Sequence, residues 1–389
     1  MRTQVGIVGA GPAGLTLGRL LENEGIEAVV IENRSRDYVE HRIRAGVLEQ
    51  GTVDLLVEAG VGARMQCEGI VHHGIELQFD GERHRIPLSD LAGGRSIVIY
   101  GQTEVVKDLI AARLDTGAPL LFEVDDVSVR DIAGSPSICF TREGAAEELK
   151  CDVIAGCDGF HGVCRPAIPP GVLRTFERDY PYGWLGILAA VAPSNDELIY
   201  SSHDRGFALL SLRSPELSRL YVQCRPDENV DEWPDDRIWE ELQARLGIDG
   251  WTLAEGPVLE KGVTGMRSFV AEPMQHGNLY LAGDAAHIVP PTGAKGLNLA
   301  IADVKILAEA LVDWFRTGNR AGLDAYSTEC LRRVWRAEHF SYWMTMTLHK
   351  DDDAGDFFRR LQLSQLRYMT TSEAAATSLA ENYVGLATV

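Results

Sequence analysis

The residues best placed to do chemistry come first in the chain. Val5-Gly6-Ile7-Val8-Gly9-Ala10-Gly11-Pro12-Ala13-Gly14 has the spacing G-x-G-x-x-G at Gly9, Gly11 and Gly14. Gly9 permits a tight turn, Gly11 lets the backbone approach a pyrophosphate, and Gly14 allows a helix to pack closely on the preceding strand. The helix start offers partial positive charge to the phosphates. Glu32, ending the run Val29-Val-Ile, is set to accept a hydrogen bond from a ribose hydroxyl. Two later turns have related chemistry: Asp158-Gly159 after Cys151–Gly156, and Gly283-Asp284 before Pro290-Pro291-Thr292-Gly293. An Asp at a strand end can accept bonds from polyol hydroxyls, and the helix start after Gly293 can face a negatively charged ring edge. Either turn alone is only a turn signal. Their order after a complete fingerprint gives them weight, although the fingerprint by itself does not separate FAD from NAD.

The elements that must position these residues follow from periodicity. Thr3–Val8 reads as a strand, Pro12–Glu22 as a helix and Ala28–Ile31 as a second strand, which is a β-α-β unit. Short alternating strands fill a stretch near 74–99, Thr103–Leu114 reads as a helix, and β pattern dominates from about 182 to 270 around a Trp-rich acidic helix near 235–246. From Gly293 onward the pattern is helical, and there is no internal repeat or low-complexity segment. The 389 residues suggest two domains, or three sharing one body. With 45% hydrophobic and 24% charged residues the chain reads as folded, not disordered or collagen-like. A net charge of −20 makes nucleic acid an unfavourable partner, and an anionic substrate needs locally placed arginines. No apolar run has the length of a membrane span and the N-terminus lacks a signal-peptide pattern, so a cytoplasmic protein is expected. Seven scattered cysteines argue against a disulfide framework, their spacing does not suit zinc, and no metal is expected.

The fingerprint with its terminal Glu, the Asp-Gly segment and the Gly-Asp segment, in this order, resemble the single-component flavoprotein aromatic hydroxylases. The likeness extends to Arg42-Ile-Arg44-Ala-Gly-Val-Leu-Glu-Gln-Gly51, Tyr100-Gly-Gln102-Thr-Glu, Ala155–Gly162, Pro273–Gly277, Ala282–Leu299 and the tail Ala380–Leu386. It covers essentially the whole chain and is most specific for members that hydroxylate 4-hydroxybenzoate to 3,4-dihydroxybenzoate. The implied fold is α/β: a Rossmann-like FAD-binding domain over 1–174 with a β excursion near 74–99, a β-rich substrate domain over 175–288, and a helical C-terminal region over 289–389 that completes the flavin site.

The resemblance implies non-covalent FAD held by Gly9, Gly11, Gly14, Glu32, Arg42, Arg44, Gln102, Asp158, Asp284, Gly296, Leu297 and Asn298. It makes Arg213 the clamp for the substrate carboxylate, with Ser211 and Tyr221 beside it. A planar bidentate donor suits that task as Lys does not. Without the resemblance Arg213 reads as an ordinary solvated strand arginine. Tyr200 is implied to touch the phenol, Tyr383 to stand next to it, His72 to open the proton path to solvent, and the Pro291 carbonyl to orient the ring. Histidine suits such an outlet because it titrates near neutrality. NADH or NADPH is implied as a transient donor near Asn33, Arg34, Arg36, Tyr38, Arg44, His161 and Arg267; the chain has no second G-x-G-x-x-G. NADPH-selective members carry Arg or Lys where this chain has Asn33, so NADH is expected to serve at least as well. A homodimer formed through the helical tail is implied as well. The rival readings are a hydroxylase for 3-hydroxybenzoate or salicylate, disfavoured by the set Tyr200, Ser211, Arg213, Tyr221 and Tyr383, and a non-catalytic flavin-binding protein.

Overall fold

The computed structural model describes residues 1–42 and 46–385, so Arg44 and Leu386 lie outside the described residues. Strand β1, Val5–Val8, is buried at every position and runs straight into the glycine turn. Gly9 takes φ +104, and Gly11 is the N-cap of helix α1, Pro12–Asn23, with Pro12 preset for the first helical turn. Strand β2, Ala28–Ile31, then pairs parallel to β1, with Val5 opposite Ala28. On the other side β1 pairs parallel with Val153–Gly156. These strands read as continuous apolar runs because helices cover both faces of a parallel sheet. Helix α2, Gln102–Thr116, packs beside α1 and ends at Gly117 with φ +74.

The second large sheet has eight strands and positions the other half of the site. Its members include β3 (Ile75–Phe79), β4 (Arg174–Ala189), β5 (Ile199–His203), β6 (Gly206–Ser214), β7 (Leu217–Cys224) and β8 (Val258–Glu272). The order runs from His287–Ile288 through β8, β4, β7, β6, β5 and β3 to Glu82–Ile86. The hairpin near 74–86, expected as an excursion of the first domain, is therefore the far edge of this sheet, with β3 parallel to β5. Helix α3, Asp235–Leu246, covers one face through Ile238, Trp239, Leu242 and Leu246. The strict alternation in β7 buries Ser218, Leu220, Val222 and Cys224, while Arg219, Tyr221 and Gln223 point to the opposite face.

Four helices finish the chain: α4 (Gly296–Thr317), α5 (Ala321–Leu348), α6 (Gly355–Thr371) and α7 (Glu373–Val384). Buried apolar residues fall into two clusters, one around β1 and α4, the other around the eight-stranded sheet, α6 and α7. Helix α5 spans both, contributing Val334 to the first and Met344 and Leu348 to the second. Among the described residues no helix is long and apolar enough to cross a membrane.

The glycine turn yields a paired test. A Cβ on Gly14 would overlap the Gly9 carbonyl oxygen and lie 3.1 Å from Ile7 Cγ2, whereas one on Gly11 meets no protein atom within 4 Å. Urea denaturation should show Gly14→Ala losing about 1–3 kcal/mol and Gly11→Ala staying within about 0.5 kcal/mol of the parent. Equal losses at the two positions would contradict this account of the turn.

Candidate active site

The anion-binding end is built from backbone. The first turn of α1 has no side-chain cap and no acidic residue, so its N–H groups face outward past Gly11. Glu32 accepts from Ala10 N–H at 2.8 Å and from Arg34 N–H at 2.9 Å, holding the turn while each oxygen keeps a second lone pair. Asp158 is turned to its own loop: its Oδ2 accepts from Cys164 N–H at 2.9 Å, and burial pushes its carboxyl upward. Asp284 is exposed at the start of the Gly283–Ala285 turn. That turn is clamped from beneath, because Gly283 N–H donates to Asp303 Oδ2 at 3.0 Å and the same oxygen lies 2.6 Å from His287 Nε2.

The second helix start adjoins the substrate sheet. The Pro291–Gly293 turn leads through Ala294, at φ +54, into α4, whose first turn again lacks a side-chain cap. A Cβ on Gly296 would meet nothing within 4 Å. The Asn298 side chain is fully engaged within the protein. Its Oδ1 accepts from Glu49 N–H at 2.9 Å and the Thr52 hydroxyl at 2.8 Å; its Nδ2 donates to Val47 O at 3.0 Å and Ala294 O at 2.9 Å. An amide has no further capacity, so only the backbone there can serve a ligand. Leu297 and Gln102 are half-buried in the first turns of α4 and α2, and Arg42 is exposed. Two uncapped helix starts, each with a glycine open to space, fit a dinucleotide that carries a pyrophosphate and an anionic ring.

Across from these starts, strand register gathers the substrate residues. Tyr200 pairs with Leu209, Leu209 with Tyr221, and Ser211 with Arg219, so their side chains share one face of the sheet. The Tyr200 hydroxyl lies 2.5 Å from that of Tyr383 on α7, and burial pushes both phenols up. At the other end Arg213 donates to the Thr103 hydroxyl at 2.5 Å. A Cβ on Gly101 would overlap the guanidinium, which explains the glycine before Gln102. Arg213 is half-buried, desolvation lowers its pKa, and among the described residues no carboxylate stands within ion-pair distance. It also sits at the N-terminal end of α2, where the helix dipole opposes a cation. A half-buried cation so placed has the chemistry to pair with an anionic ligand.

Sequence reasoning missed a buried ion cluster beside Tyr383. Lys295 Nζ is 2.5 Å from Glu49 Oε1 and donates to Tyr383 O at 3.0 Å, while Arg333 reaches Glu49 Oε2 at 3.2 Å. Burial lowers the Lys295 pKa, and Glu49 opposes that shift. The signal was available, since both residues lie inside the motif segments around Arg42–Gly51 and Ala282–Leu299. His72 is buried, neither ring nitrogen has a partner, and no hydrogen bond among the described residues joins it to Tyr383. The direct phenol pair is therefore Tyr200–Tyr383, with His72 not directly bonded to it.

Of the coenzyme candidates, Asn33, Arg34, Arg36 and Tyr38 are exposed together. Arg34 lies over the Tyr38 ring at 5.3 Å, and Arg36 is tied to Glu40 at 2.7 Å. His161 and Arg267 flank Phe160, each 5.0 Å from its ring centroid. No hydrogen bond or ion pair among the described residues joins the two groups. No group of three metal-ligating side chains occurs among the described residues.

Residues 2–341 match the FAD binding domain family. The p-hydroxybenzoate hydroxylase of Acinetobacter baylyi is 50% identical over 387 residues, 99% of this chain and 96% of its own length. A putative FAD-dependent monooxygenase of Bacillus subtilis is 24% identical over 364 residues, covering 86% of this chain and 91% of that protein. The solved p-nitrophenol 4-monooxygenase of Pseudomonas putida has the same fold, with a TM-score of 0.83 at 18% identity over 100% of both chains.

Burial of His72 has a measurable consequence. It lowers the imidazole pKa from 6.5 to about 4, against the opposing pull of Glu197 and Asp196. The folded protein keeps the ring neutral while the unfolded chain protonates it below 6.5, so stability falls as pH drops through that window. Comparison with His72→Gln should show the parent losing roughly 3 kcal/mol more between pH 7 and pH 4. A stability difference that stays constant with pH would show that His72 is not held neutral.

Proposed function

The chain belongs to the FAD binding domain family as an FAD-dependent aromatic hydroxylase, and from that premise we propose that its substrate is 4-hydroxybenzoate, converted to 3,4-dihydroxybenzoate with NAD(P)H and O2. The observation that carries this reading is the pair of unlike ends on one sheet face. A half-buried guanidinium without a carboxylate partner among the described residues, Arg213, stands at one end and a bonded phenol pair, Tyr200–Tyr383, at the other. Leu209, opposite Tyr200, is separated from Arg213 by about 13 Å of strand, the span of one ring with para polar groups and a hydrogen bond at each end. A meta or ortho hydroxyl, as in 3-hydroxybenzoate or salicylate, would miss Tyr200 when its carboxylate sits on Arg213.

Bound FAD would supply the redox chemistry, passing on the reducing power of NAD(P)H and, with O2, the oxygen atom that enters the ring. Gly11 and the α1 start would hold its pyrophosphate and Glu32 its ribose; the α4 start at Gly296–Asn298 would face its ring; Arg42, Arg44, Gln102, Asp158 and Asp284 are assigned to the same cofactor. Arg213 fixes the substrate carboxylate, with Ser211 and Tyr221 beside it. Tyr200 hydrogen-bonds the phenol and favours its ionised form, which is richer in electrons at the carbon ortho to the oxygen. Tyr383 stabilises Tyr200 as it shares that proton. The Pro291 carbonyl already accepts from Ala294 N–H at 2.9 Å and keeps one lone pair for the phenol. Buried Trp184, Leu209 and Tyr200 exclude water from this face. His72 serves as the outlet, reached from Tyr383 without a direct bond.

We assign 1–174 to FAD binding, except that β3 belongs to the sheet of the substrate region over 175–288, and 289–389 to the helical region. Phe357, Leu361 and Tyr368 line α6 with exposures of 76%, 51% and 54%, and this stripe supports a homodimer through the tail. All seven cysteines are free thiols, which suits the reducing cytoplasm.

Product analysis after incubation with 4-hydroxybenzoate, NADH and O2 should give 3,4-dihydroxybenzoate, and Arg213→Ala should weaken substrate binding by roughly 2–5 kcal/mol. Unchanged affinity in that variant would remove Arg213 from the site. For the coenzyme, Asn33 is neutral and Arg36 is already engaged with Glu40. NADH should therefore match or exceed NADPH in kcat/KM. A tenfold NADPH advantage, about 1.4 kcal/mol, would sink that reading.

A further inference from the structure

A chain of bonded groups with no part in the chemistry above runs from the substrate sheet to the Pro291–Gly293 turn. Trp184 on β4 is buried on the substrate face, its ring 4.8 Å from Tyr221 and 5.4 Å from Phe207. Its Nε1–H donates to His349 Nε2 at 2.7 Å. His349 closes the C-terminus of α5, and its Nδ1 lies 3.0 Å from Thr345 O. A carbonyl only accepts, so Nδ1 carries the proton and Nε2 receives the indole N–H. A second proton would set two N–H groups against each other, and burial lowers the imidazole to about 3. Stacking on Tyr182 at 4.9 Å and Phe207 at 4.4 Å keeps the ring from turning.

One helical turn back, the chain crosses to the flavin side. The Thr345 hydroxyl is 2.9 Å from that of Thr292 and 2.7 Å from Ser341 O. A Cβ on Gly293 would stand 2.5 Å from Ser341 Oγ and 3.1 Å from its Cα. Ser341, Thr345 and His349 follow one another at the spacing that aligns side chains along one helix face. The turn is thus seated on α5 by a hydroxyl bond and by the absence of a side chain, while α5 is seated on the sheet by the His349–Trp184 bond.

We propose that Trp184, His349, Thr345 and Thr292 form a positioning line through which the aromatic wall of the substrate sheet sets the Pro291–Gly293 turn, and with it the Pro291 carbonyl and the start of α4. The line rests on the reading that this turn faces both the phenol and FAD. None of the four needs to touch substrate; they decide where the groups that do so stand.

The test cuts the line at Thr345. Thr345→Val keeps the volume and the carbonyl that holds His349 but removes the link to Thr292; Thr345→Ser retains the hydroxyl. Two quantities are measured: the dissociation constant of FAD from the apoprotein, and 3,4-dihydroxybenzoate formed per NAD(P)H consumed. Thr345→Val should raise the first roughly 2- to 30-fold and lower the second, with KM for 4-hydroxybenzoate within about twofold of the parent. Thr345→Ser should return both to parental values. His349→Phe keeps a stacking ring without the acceptor and should shift both in the same direction, and combining it with Thr345→Val should add nothing further. Parental FAD affinity and product ratio in Thr345→Val, equal impairment in Thr345→Ser, or additive losses in the double variant would each overturn the proposal. A parent that makes no 3,4-dihydroxybenzoate would instead refute the proposed substrate, and FAD affinity would then decide the line alone.

Discussion

Asn298 holds the molecule's central junction. Its amide joins the first turn of α4 to the Val47–Glu49 strand and to Thr52 through three hydrogen bonds and holds Ala294 O with a fourth, so its donors and acceptors are all satisfied within the protein. Each such bond contributes only about 1 kcal/mol net, but a buried orphan left by losing one costs about 1–3 kcal/mol. The arrangement is therefore closer to all-or-none than to graded. It leaves the α4 start, like the α1 start, without a side-chain cap, and fixes the former against the Val47–Glu49 strand.

Charge is managed locally against an acidic whole. The chain carries a net −20, yet it keeps cations away from bulk solvent: half-buried Arg213, and buried Lys295 beside Glu49, which Arg333 also reaches. Their burial is costly for each cation. Lys295 is offset by Glu49 and by the ring faces of Phe340 and Tyr383, 5.3 and 5.8 Å away. Among the described residues Arg213 has only the Thr103 hydroxyl as a hydrogen-bond partner. That difference separates a cation satisfied within the protein from one with capacity left for a ligand.

The histidines divide in a similar way. His287 is buried against Asp303, which outweighs burial and holds its pKa above the usual value, so it clamps the Gly283 turn as one half of an ion pair. His349 and His72 are buried without a carboxylate in contact and stay neutral. His349 uses its two ring nitrogens as one donor and one acceptor, a role that needs the neutral tautomer; His72 uses neither. The same side chain thus serves as cation, fixed strut and unbonded neutral ring according to what faces it.

The sequence by itself determined what is local. The glycine turn, Pro12, Glu32 and the β-α-β unit were readable because phosphate binding at a helix start is encoded within one contiguous stretch, and the helical tail was readable from its periodicity. Resemblance, and not spacing, carried Arg213, Tyr200 and Tyr383, and the fold then brought the Tyr383 hydroxyl from α7 to that of Tyr200 and the Arg213 guanidinium to Thr103. Only the tertiary structure decided that the 75–86 hairpin joins the substrate sheet, that Asn298 has no amide capacity left for a ligand, and that Lys295 meets Glu49 and Trp184 meets His349. Alternation with period two identifies a strand and its faces but says nothing about which strand lies beside it. Hydrogen bonds between residues 165 or 246 positions apart exist only once those neighbours are chosen, so no local pattern can announce them.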